Sequence, residues 1–296
     1  MTITKLRLQA PKYWWKKEFG EKYYTTYYPQ LTPERTLKEV EFIKKAVPLR
    51  LSQNILDLGC GHGRHTIGLA RQHFNITGLD YSDYLLNIAR KEADKMGIRV
   101  NFIKKDMRYL DVQNMYDVIL SMFSTFGYFP HKENLYVLRH VFEALKPGGK
   151  FLIDIMNSYA LISETYRKGR NLNNGTHEYV HSYRFGKYAI KDTCTYIEKP
   201  QLYRMHRTWR MNNKKGSFDL YMIEYRLEQY KHMLESIGFQ IENLWGDYDV
   251  GKWKKDRWRT IILCQKPRNK ISVCGPVSRF VNFTIKRRWP THINNV

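Results

Sequence analysis

A glycine-rich turn is the part of this sequence best suited to bind a ligand. Gly59, Gly61 and Gly63 stand at alternate positions, directly after the apolar run 55–58 and before a helical pattern. Glycine is needed where the backbone turns sharply and approaches a ligand, because a Cβ atom would collide with it. The turn after this first strand therefore predicts the site of a nucleotide-like cofactor.

An acid in the strand before the turn distinguishes two kinds of cofactor. Asp57 lies just ahead of Gly59. A dinucleotide fingerprint has a longer glycine spacing, and its pyrophosphate gains nothing from a nearby carboxylate. A ligand with a positively charged sulfonium and an amino group favours a carboxylate, directly or through water. Asp57 and the short glycine spacing therefore favour a sulfonium cofactor over NAD.

Two further acids end the next two predicted strands. Asp80 ends the run 76–80, where a carboxylate can accept both hydroxyls of a ribose. Asp106 follows the run 102–105 and stands beside Met107, a pair suited to an adenine amino group and ring face. Each acid alone could be a helix N-cap. Because the carboxyl ends of successive parallel strands meet at one crevice, the three acids together predict a cofactor site.

Apolar runs alternate with amphipathic helical patterns between residues 54 and 157. This alternation predicts βαβ units, and hence an α/β fold with a parallel sheet covered on both faces by helices. Between about 179 and 225 the pattern becomes β-rich, with many aromatic and basic residues, which predicts an antiparallel insertion. A helix near 225–237 and strands near 240–245 and 260–265 complete the pattern.

These elements divide the chain into four predicted parts. They are an N-terminal helical and aromatic lid (1–50), a core (51–177 and 226–267), a β-rich substrate-cap insertion (178–225) and a basic C-terminal tail (268–296). Within the lid, Thr32 is a predicted N-cap, with Pro33 at the first helical position. The tail is either a docking arm or a frayed end.

At these motifs the sequence resembles the class I S-adenosylmethionine-dependent methyltransferases, and more closely their small-molecule members. The resemblance covers roughly residues 24–267, and the matching segments are 55–65, 78–82, 106–108, 124–129 and 145–149, with a Gly238-Phe239 pair before the sixth strand. It implies S-adenosyl-L-methionine as the cofactor and a Rossmann-like, seven-stranded, mostly parallel sheet with helices on both faces. It also implies that the antiparallel insertion caps the active site and shapes the acceptor pocket.

The resemblance further implies which residues bind the cofactor. The glycine turn would hold the methionine portion, Asp80 the ribose, and Asp106 with Met107 the adenine, while the segment 121–123 would line the sulfonium and the substrate mouth. The predicted cofactor-binding residues are Asp57, Gly59, Cys60, Gly61, Gly63, Asp80, Tyr81, Asp106, Met107, Ser121, Met122 and Phe123.

Methyl transfer from a sulfonium needs no covalent nucleophile. It is an in-line displacement, so alignment and desolvation of the reactants supply much of the acceleration. A base is needed only if the acceptor must lose a proton. The candidates are Tyr24, with its neighbours Tyr23, Tyr27 and Tyr28, and His131. The alternative is that the tyrosines pack a lid helix and that His131 is a surface residue near a helix start.

The composition limits the environment and the partners. The chain has 50 Lys+Arg and 28 Asp+Glu, a formal charge of +22, which would attract a polyanion or simply reflect a basic proteome. Its apolar runs fall short of the about 18 residues of a membrane span, and we expect a cytoplasmic protein. The four cysteines are scattered, and His62 and His65 have no third ligand by spacing, so no metal site is predicted.

Four functions are consistent with these features. The first is methylation of nitrogen or oxygen on a small-molecule acceptor, and the second is methylation of RNA or another macromolecule, suggested by the charge, by the run 253–259 and by the tail. The loop 121–124 reads Ser-Met-Phe-Ser and lacks the Asp/Asn-Pro-Pro-Tyr/Phe motif of many exocyclic-amine methyltransferases, which disfavours that chemistry. A binding module without catalysis and an NAD-dependent oxidoreductase are the remaining alternatives.

Overall fold

The computed structural model describes residues 9–27, 31–172 and 175–268. The helices are α1 (Trp14–Glu18), α2 (Glu21–Tyr27), α3 (Pro33–Ala46), α4 (Arg64–Ala70), α5 (Asp83–Lys95), α6 (His131–Ala144), α7 (Ser158–Lys168) and α8 (Leu227–Ile237). The strands are β1 (Ile55–Leu58), β2 (Ile76–Asp80), β3 (Asn101–Lys104), β4 (Tyr116–Ser121), β5 (Leu145–Met156), β6 (Arg170–Asn171), β7 (Thr176–Phe185), β8 (Tyr188–Ile197), β9 (Leu202–Met211), β10 (Lys214–Ile223), β11 (Gln240–Trp245) and β12 (Arg259–Gln265). The predicted tail beyond residue 268 lies outside the described residues.

The larger sheet has seven strands in the order β11-β12-β5-β4-β1-β2-β3. Strands β1 to β5 pair in parallel, and β12 runs antiparallel to both of its neighbours. The predicted Rossmann-like, mostly parallel fold is therefore confirmed. The strand order reverses between β1 and β4, and in such sheets a ligand binds beyond the carboxyl ends of the strands at this reversal.

Helices cover the two faces of this sheet with separate hydrophobic clusters. Phe42 and Ile43 of α3 pack with Ile55 on one face, whereas Val141 of α6 packs with Leu56 on the other. Neighbouring residues of a strand point to opposite faces, so the run of apolar residues in β1 fills both clusters. This explains why the strand is apolar almost throughout.

The second sheet is antiparallel, in the order β10-β9-β8-β7-β6. It begins at Arg170, ahead of residue 178, because β6 pairs with the start of β7. The last strand also joins the core, since the Ile223 amide donates to the Gly127 carbonyl at 2.8 Å. Rings of the N-terminal helices lie against this strand, with Trp14 5.5 Å from Tyr221 and Tyr23 5.2 Å from Phe218 between ring centroids. The division of the chain into four parts stays a prediction.

Helix starts at the ligand-binding edge follow the sequence rules. The Thr32 side chain accepts from the Arg35 amide at 3.3 Å, which confirms the predicted N-cap of α3. Gly63 caps α4 with a φ of 79°, a left-handed conformation that favours glycine. A Cβ atom there would lie 2.9 Å from the Ala89 Cβ and 3.1 Å from the Phe102 ring. Both the backbone and the packing therefore require glycine.

We expect Gly63→Ala to lower the free energy of unfolding by about 2–4 kcal/mol, because backbone strain and overpacking add. Gly97→Ala is the matched control. Its φ is 66°, but a Cβ atom there has no neighbour within 4 Å, so only the backbone cost of about 1 kcal/mol applies. Urea denaturation of both variants measures the difference. Equal losses of unfolding free energy in the two variants would show that packing against α5 is not a reason why residue 63 must be glycine.

Candidate active site

A pocket lies beyond the carboxyl ends of the parallel strands, at the reversal of strand order. Nine of the predicted cofactor-binding residues line it: Gly59, Cys60, Gly61, Asp80, Tyr81, Asp106, Met107, Met122 and Phe123. Further lining residues come from the N-terminal helices, the glycine turn and α4, the ends of β2 and β3, and the segment 125–129: Trp15, Phe19, Tyr23, His62, Arg64, His65, Leu79, Leu85, Lys105, Thr125, Tyr128 and Phe129. Three successive strand ends thus contribute to one crevice.

The Asp80 carboxylate joins the end of β2 to the glycine turn. One oxygen accepts from the Gly61 amide and the other from the Ser82 amide, each at 2.8 Å. Burial disfavours the charged form and raises the Asp80 pKa to about 6, although these two amides favour ionisation. The carboxylate is thereby fixed in orientation, and each oxygen retains capacity for another donor.

Asp106 and Met107 lie on the opposite wall, where an arginine that sequence analysis missed orders the acid. The Arg108 amide and Nε both donate to the Asp106 carboxylate at 3.0 Å. The Arg108 guanidinium lies 4.7 Å from the Trp15 ring and 4.6 Å from the Phe129 ring. The adjacent arginine was visible in the sequence, but its two aromatic neighbours come from distant segments.

Three predicted cofactor residues lie behind the pocket wall. Asp57 is 1% exposed, and its carboxylate accepts from the Thr66 hydroxyl at 2.6 Å. Burial raises its pKa. Asp57 does not line the pocket, because its side chain points under the turn and ties α4 to β1. Ser121 lies 2.8 Å from the Thr125 hydroxyl, and Gly63 packs against α5.

The comparisons with known proteins agree with this geometry. A family model described as a methyltransferase domain matches residues 55–149. The solved structure of the CcbJ methyltransferase from Streptomyces caelestis is similar, with a TM-score of 0.72, 16% identity and coverage of 84% of this chain and 98% of that chain. The structure of the sugar N-methyltransferase KedS8 from Streptoalloteichus sp ATCC 53650 is also similar, with a TM-score of 0.59 and 16% identity. The match covers 91% of this chain and 99% of that chain. Residues 55–149 thus match a methyltransferase domain, and the matches together support a class I S-adenosylmethionine-dependent methyltransferase.

A further relative of this methyltransferase is the ubiquinone biosynthesis O-methyltransferase of Coxiella burnetii (strain Dugway 5J108-111). The two are 26% identical over 149 residues, which are 48% of this chain and 61% of the relative. The family match covers β1 to β4, the strands whose ends form the pocket. The cofactor of the family is S-adenosyl-L-methionine.

Of the predicted proton-transfer candidates, neither Tyr24 nor His131 lines the pocket. The Tyr24 ring lies 5.7 Å from the His62 ring and 6.2 Å from the Tyr84 ring. His131, at the exposed start of α6, has its Nδ1 3.0 Å from the Tyr225 hydroxyl. The neighbouring Tyr23 on the same helix does line the pocket, and it is 6% exposed. Successive residues of a helix point about 100° apart, so only one neighbour on α2 faces inward.

Two other lid tyrosines cannot be placed in this way. Tyr28 and the side chain of Tyr27 lie outside the described residues. The aromatic segments do contribute rings to the pocket, but the helical phase of α2 was not predictable from a run of adjacent tyrosines.

A buried ionic cluster supports the pocket residue Phe123. Its ring centroid lies 4.9 Å from the guanidinium carbons of Arg35 and Arg64 and 5.5 Å from that of Arg259. Its backbone is left-handed, with a φ of 61°, and its amide donates to Asp154 at 2.9 Å. Phe123 is thus held in a strained conformation.

The acid partners of this cluster are fully buried. One carboxylate oxygen of Glu39 accepts a hydrogen bond from Arg35 Nε at 3.0 Å. The other oxygen contacts Arg64 and lies 2.7 Å from His65 Nε2. Burial opposes ionisation of Glu39, but hydrogen bonding and charge from His65, with charge from Arg64, outweigh burial and lower its pKa to about 2. Asp154 accepts from Arg259 Nε at 2.7 Å. These pairs hold α3, α4 and β12 against the loop after β4.

Glu224, at the end of β10, is a buried acid without a matched partner. It is 3% exposed, and its Oε1 has no hydrogen-bond partner among the described residues. Burial raises its pKa to about 8, although the charge of Arg259 favours ionisation. The unfolded chain ionises near the ordinary value of 4.5. The folded state therefore loses stability as the pH rises from about 4.5 to about 8.

We expect Glu224→Gln to raise the free energy of unfolding by about 2 kcal/mol at neutral pH, with no gain below pH 4.5, because the ionisation penalty is removed. Glu235→Gln, an exposed change on α8, is the control. Denaturation across pH measures the effect. A gain that is the same at every pH would contradict the assignment of the penalty to the Glu224 charge.

No group of three or more His, Cys, Asp or Glu within the described residues could hold a metal ion. Among the helices of this part of the chain, none has the length and apolar character to cross a bilayer.

Proposed function

We propose that the methyltransferase transfers a methyl group from S-adenosyl-L-methionine to nitrogen or oxygen of a small-molecule acceptor. The observation that carries this proposal is the aromatic enclosure of the pocket. Trp15, Phe19 and Tyr23 of the N-terminal helices and Tyr128 and Phe129 of the loop after β4 line it together. An enclosed aromatic pocket of this kind suits a small acceptor better than a macromolecular surface.

The donor orientation follows from the pocket walls. The backbone at Gly59 and Gly61 would lie along the methionine portion. A Cβ at Gly59 would lie 2.9 Å from the Thr125 Cβ, so the turn has no room for a side chain there. Asp80 would accept the ribose hydroxyls with the oxygen capacity described above. Asp106 and Met107 would frame the adenine. Met122 and Phe123, on the loop that the ionic cluster supports, would then lie beside the sulfonium.

The methyltransferase would act by alignment and exclusion of water. The donor supplies a methyl group on a positively charged sulfur. Aromatic rings around the pocket attract that cation and exclude water, while the acceptor is held in line with the breaking bond. The positive charge disperses during transfer, so desolvation favours the reaction. No covalent intermediate with the protein is needed.

Two relatives support a small acceptor. One is named as a sugar N-methyltransferase and the other as a ubiquinone biosynthesis O-methyltransferase. Both names describe acceptors with an amine or a hydroxyl group as the methylated group. The Ser-Met-Phe-Ser loop after β4 is consistent with this chemistry and differs from the loop that many exocyclic-amine methyltransferases carry.

A transfer assay tests the proposal directly. The methyltransferase is incubated with methyl-labelled donor and either a panel of small amines, phenols and amino sugars, or total RNA and protein extract. We expect label in an extractable small molecule, and we expect Tyr23→Ala to lower that transfer more than Tyr24→Ala, because only Tyr23 lines the pocket. Label found solely in RNA or protein would refute the small-molecule proposal.

A further inference from the structure

The outer end of the antiparallel sheet carries one cation on each of four strands. Arg184 of β7, Arg210 of β9 and Lys215 of β10 belong to one register row, joined through Ala189. Lys191 of β8 belongs to the row two residues farther along. Paired residues, and residues two apart on a strand, share a face of a sheet. The four cations therefore lie on one face, and we call them the basic trough.

The floor between these cations is small and polar. Ser182, Thr208 and Ser217 share the row of Lys191 and line the same concave surface. Lys22 of the lid helix α2 lies at its edge. The trough thus combines long cationic side chains with hydroxyl donors, the two groups that proteins use most to contact phosphate oxygens.

The positive charge of the basic trough is not neutralised within the fold. All four side chains are exposed, and none forms an ion pair with an acid among the described residues. The acids of the next rows already have partners, since Asp192 binds Arg207 and Asp219 binds Arg204. Lys187 and Lys214 add further exposed cations at the hairpin ends.

The basic run at 253–259 is different. Arg257 pairs with Asp247, and Arg259 is paired with buried Asp154. Two of the four cations in this run are therefore paired with acids of the fold. The hairpin ends present their cations to solvent instead.

We propose that the basic trough binds the phosphate backbone of a nucleic acid. Its cations extend over four strands, about 14 Å at a strand spacing of about 4.8 Å, which is farther than one phosphate group reaches. Tyr183 and Trp209 also line this concave surface, but they belong to the opposite register face of the sheet. The cations and hydroxyl groups of the trough therefore contact phosphates, and this part of the binding is independent of sequence. This inference goes beyond the proposed transfer reaction and requires neither donor nor acceptor.

Fluorescence anisotropy with a labelled single-stranded RNA of about 20 nucleotides tests the proposal on the full chain. Lys191→Glu/Arg210→Glu is compared with Lys91→Glu/Arg139→Glu, which makes the same charge change on exposed faces of α5 and α6. We expect at least a tenfold loss of affinity in the trough variant and about twofold or less in the control. The slope of log affinity against log salt should also fall by about 1.4 in the trough variant, or 0.7 for each lost contact.

Equal losses in the two variants would overturn the proposal, because net charge alone would then explain RNA binding. Binding to phosphatidylglycerol vesicles without binding to RNA would also overturn it. Circular dichroism and denaturation test whether each variant is folded. If the double charge reversal does not fold, Lys191→Gln/Arg210→Gln provides a milder change. Loss of RNA affinity in that milder variant supports the proposal, and wild-type affinity in it refutes the proposal.

Discussion

Asp80→Ala is expected to weaken binding of S-adenosyl-L-methionine about 100-fold or more. A hydrogen bond to a charged group contributes about 1.5–3 kcal/mol, and the proposed site uses this carboxylate for two ribose hydroxyls. The substitution also removes the acceptor for the Gly61 amide, which positions the glycine turn. Calorimetry on the wild type and the variant measures the change.

The matched control is Asp83→Ala, three residues along at the start of α5. Asp83 is an exposed acid that pairs with Lys104 and does not line the pocket. We expect its donor affinity to stay within about twofold of the wild type, because surface pairs contribute little. If Asp80→Ala still binds the donor tightly, the proposal that Asp80 accepts the ribose hydroxyls is refuted.

The same carboxylate should make donor binding pH-dependent. The raised Asp80 pKa of about 6 means that the unliganded protein is protonated there below that pH. Hydroxyl donors bind the ionised form, so affinity should fall about tenfold for each pH unit below 6. Asp80→Asn should bind weakly with no such dependence. A wild-type affinity that is unchanged between pH 5 and 7 would contradict ionised Asp80 as the partner.

Asp154→Ala is expected to lower the free energy of unfolding by about 3–5 kcal/mol, because it leaves a buried arginine without its counter-ion. Asp154 is fully buried and accepts from Arg259, from the Tyr248 hydroxyl at 2.6 Å and from the Phe123 amide. Donor affinity should fall as well, since the strained backbone at Phe123 loses a hydrogen bond that holds it. Urea denaturation and calorimetry follow the two effects.

Two variants show whether the unpaired charge is the cause. In Asp154→Ala/Arg259→Leu the buried cation is removed too, and we expect part of the stability to return. Asp249→Ala removes an exposed acid that pairs with Lys38, and its cost should be about 1 kcal/mol or less. A double variant that is less stable than Asp154→Ala alone would refute the explanation by desolvated charge.

Local sequence patterns predicted the elements of the larger sheet closely. The helical pattern from Ser82 to Met96 corresponds to α5, and the Ser82 hydroxyl accepts from the Leu85 amide at 3.2 Å as an N-cap should. Helix periodicity and caps depend on residues a few positions apart, which the sequence displays directly. Helix α7 was not predicted, because it lies at the change from the α/β pattern to the β-rich pattern.

The parts of the site that escaped prediction depend on contacts between distant residues. Glu39 and Arg64 come from separate helices, and Asp154 meets Arg259 only because β5 and β12 are neighbours. Asp57 was predicted to face the ligand, but its side chain lies under the turn with Thr66. Whether a strand acid points at the ligand or beneath it depends on the path of the following loop, which spacing alone does not reveal.

The backbone link between Ile223 and Gly127 restricts how the acceptor pocket can be redesigned. Gly127 also leaves no room for a Cβ, which would lie 3.0 Å from the Ile223 carbonyl oxygen. The end of the antiparallel sheet and the loop after β4 are thus joined through their backbones. An engineer who grafts the cap of a related enzyme onto this core should therefore transplant residues 123–129 with it. Chimeras that exchange the cap alone would misplace the donor-side wall while retaining every residue that contacts the new acceptor.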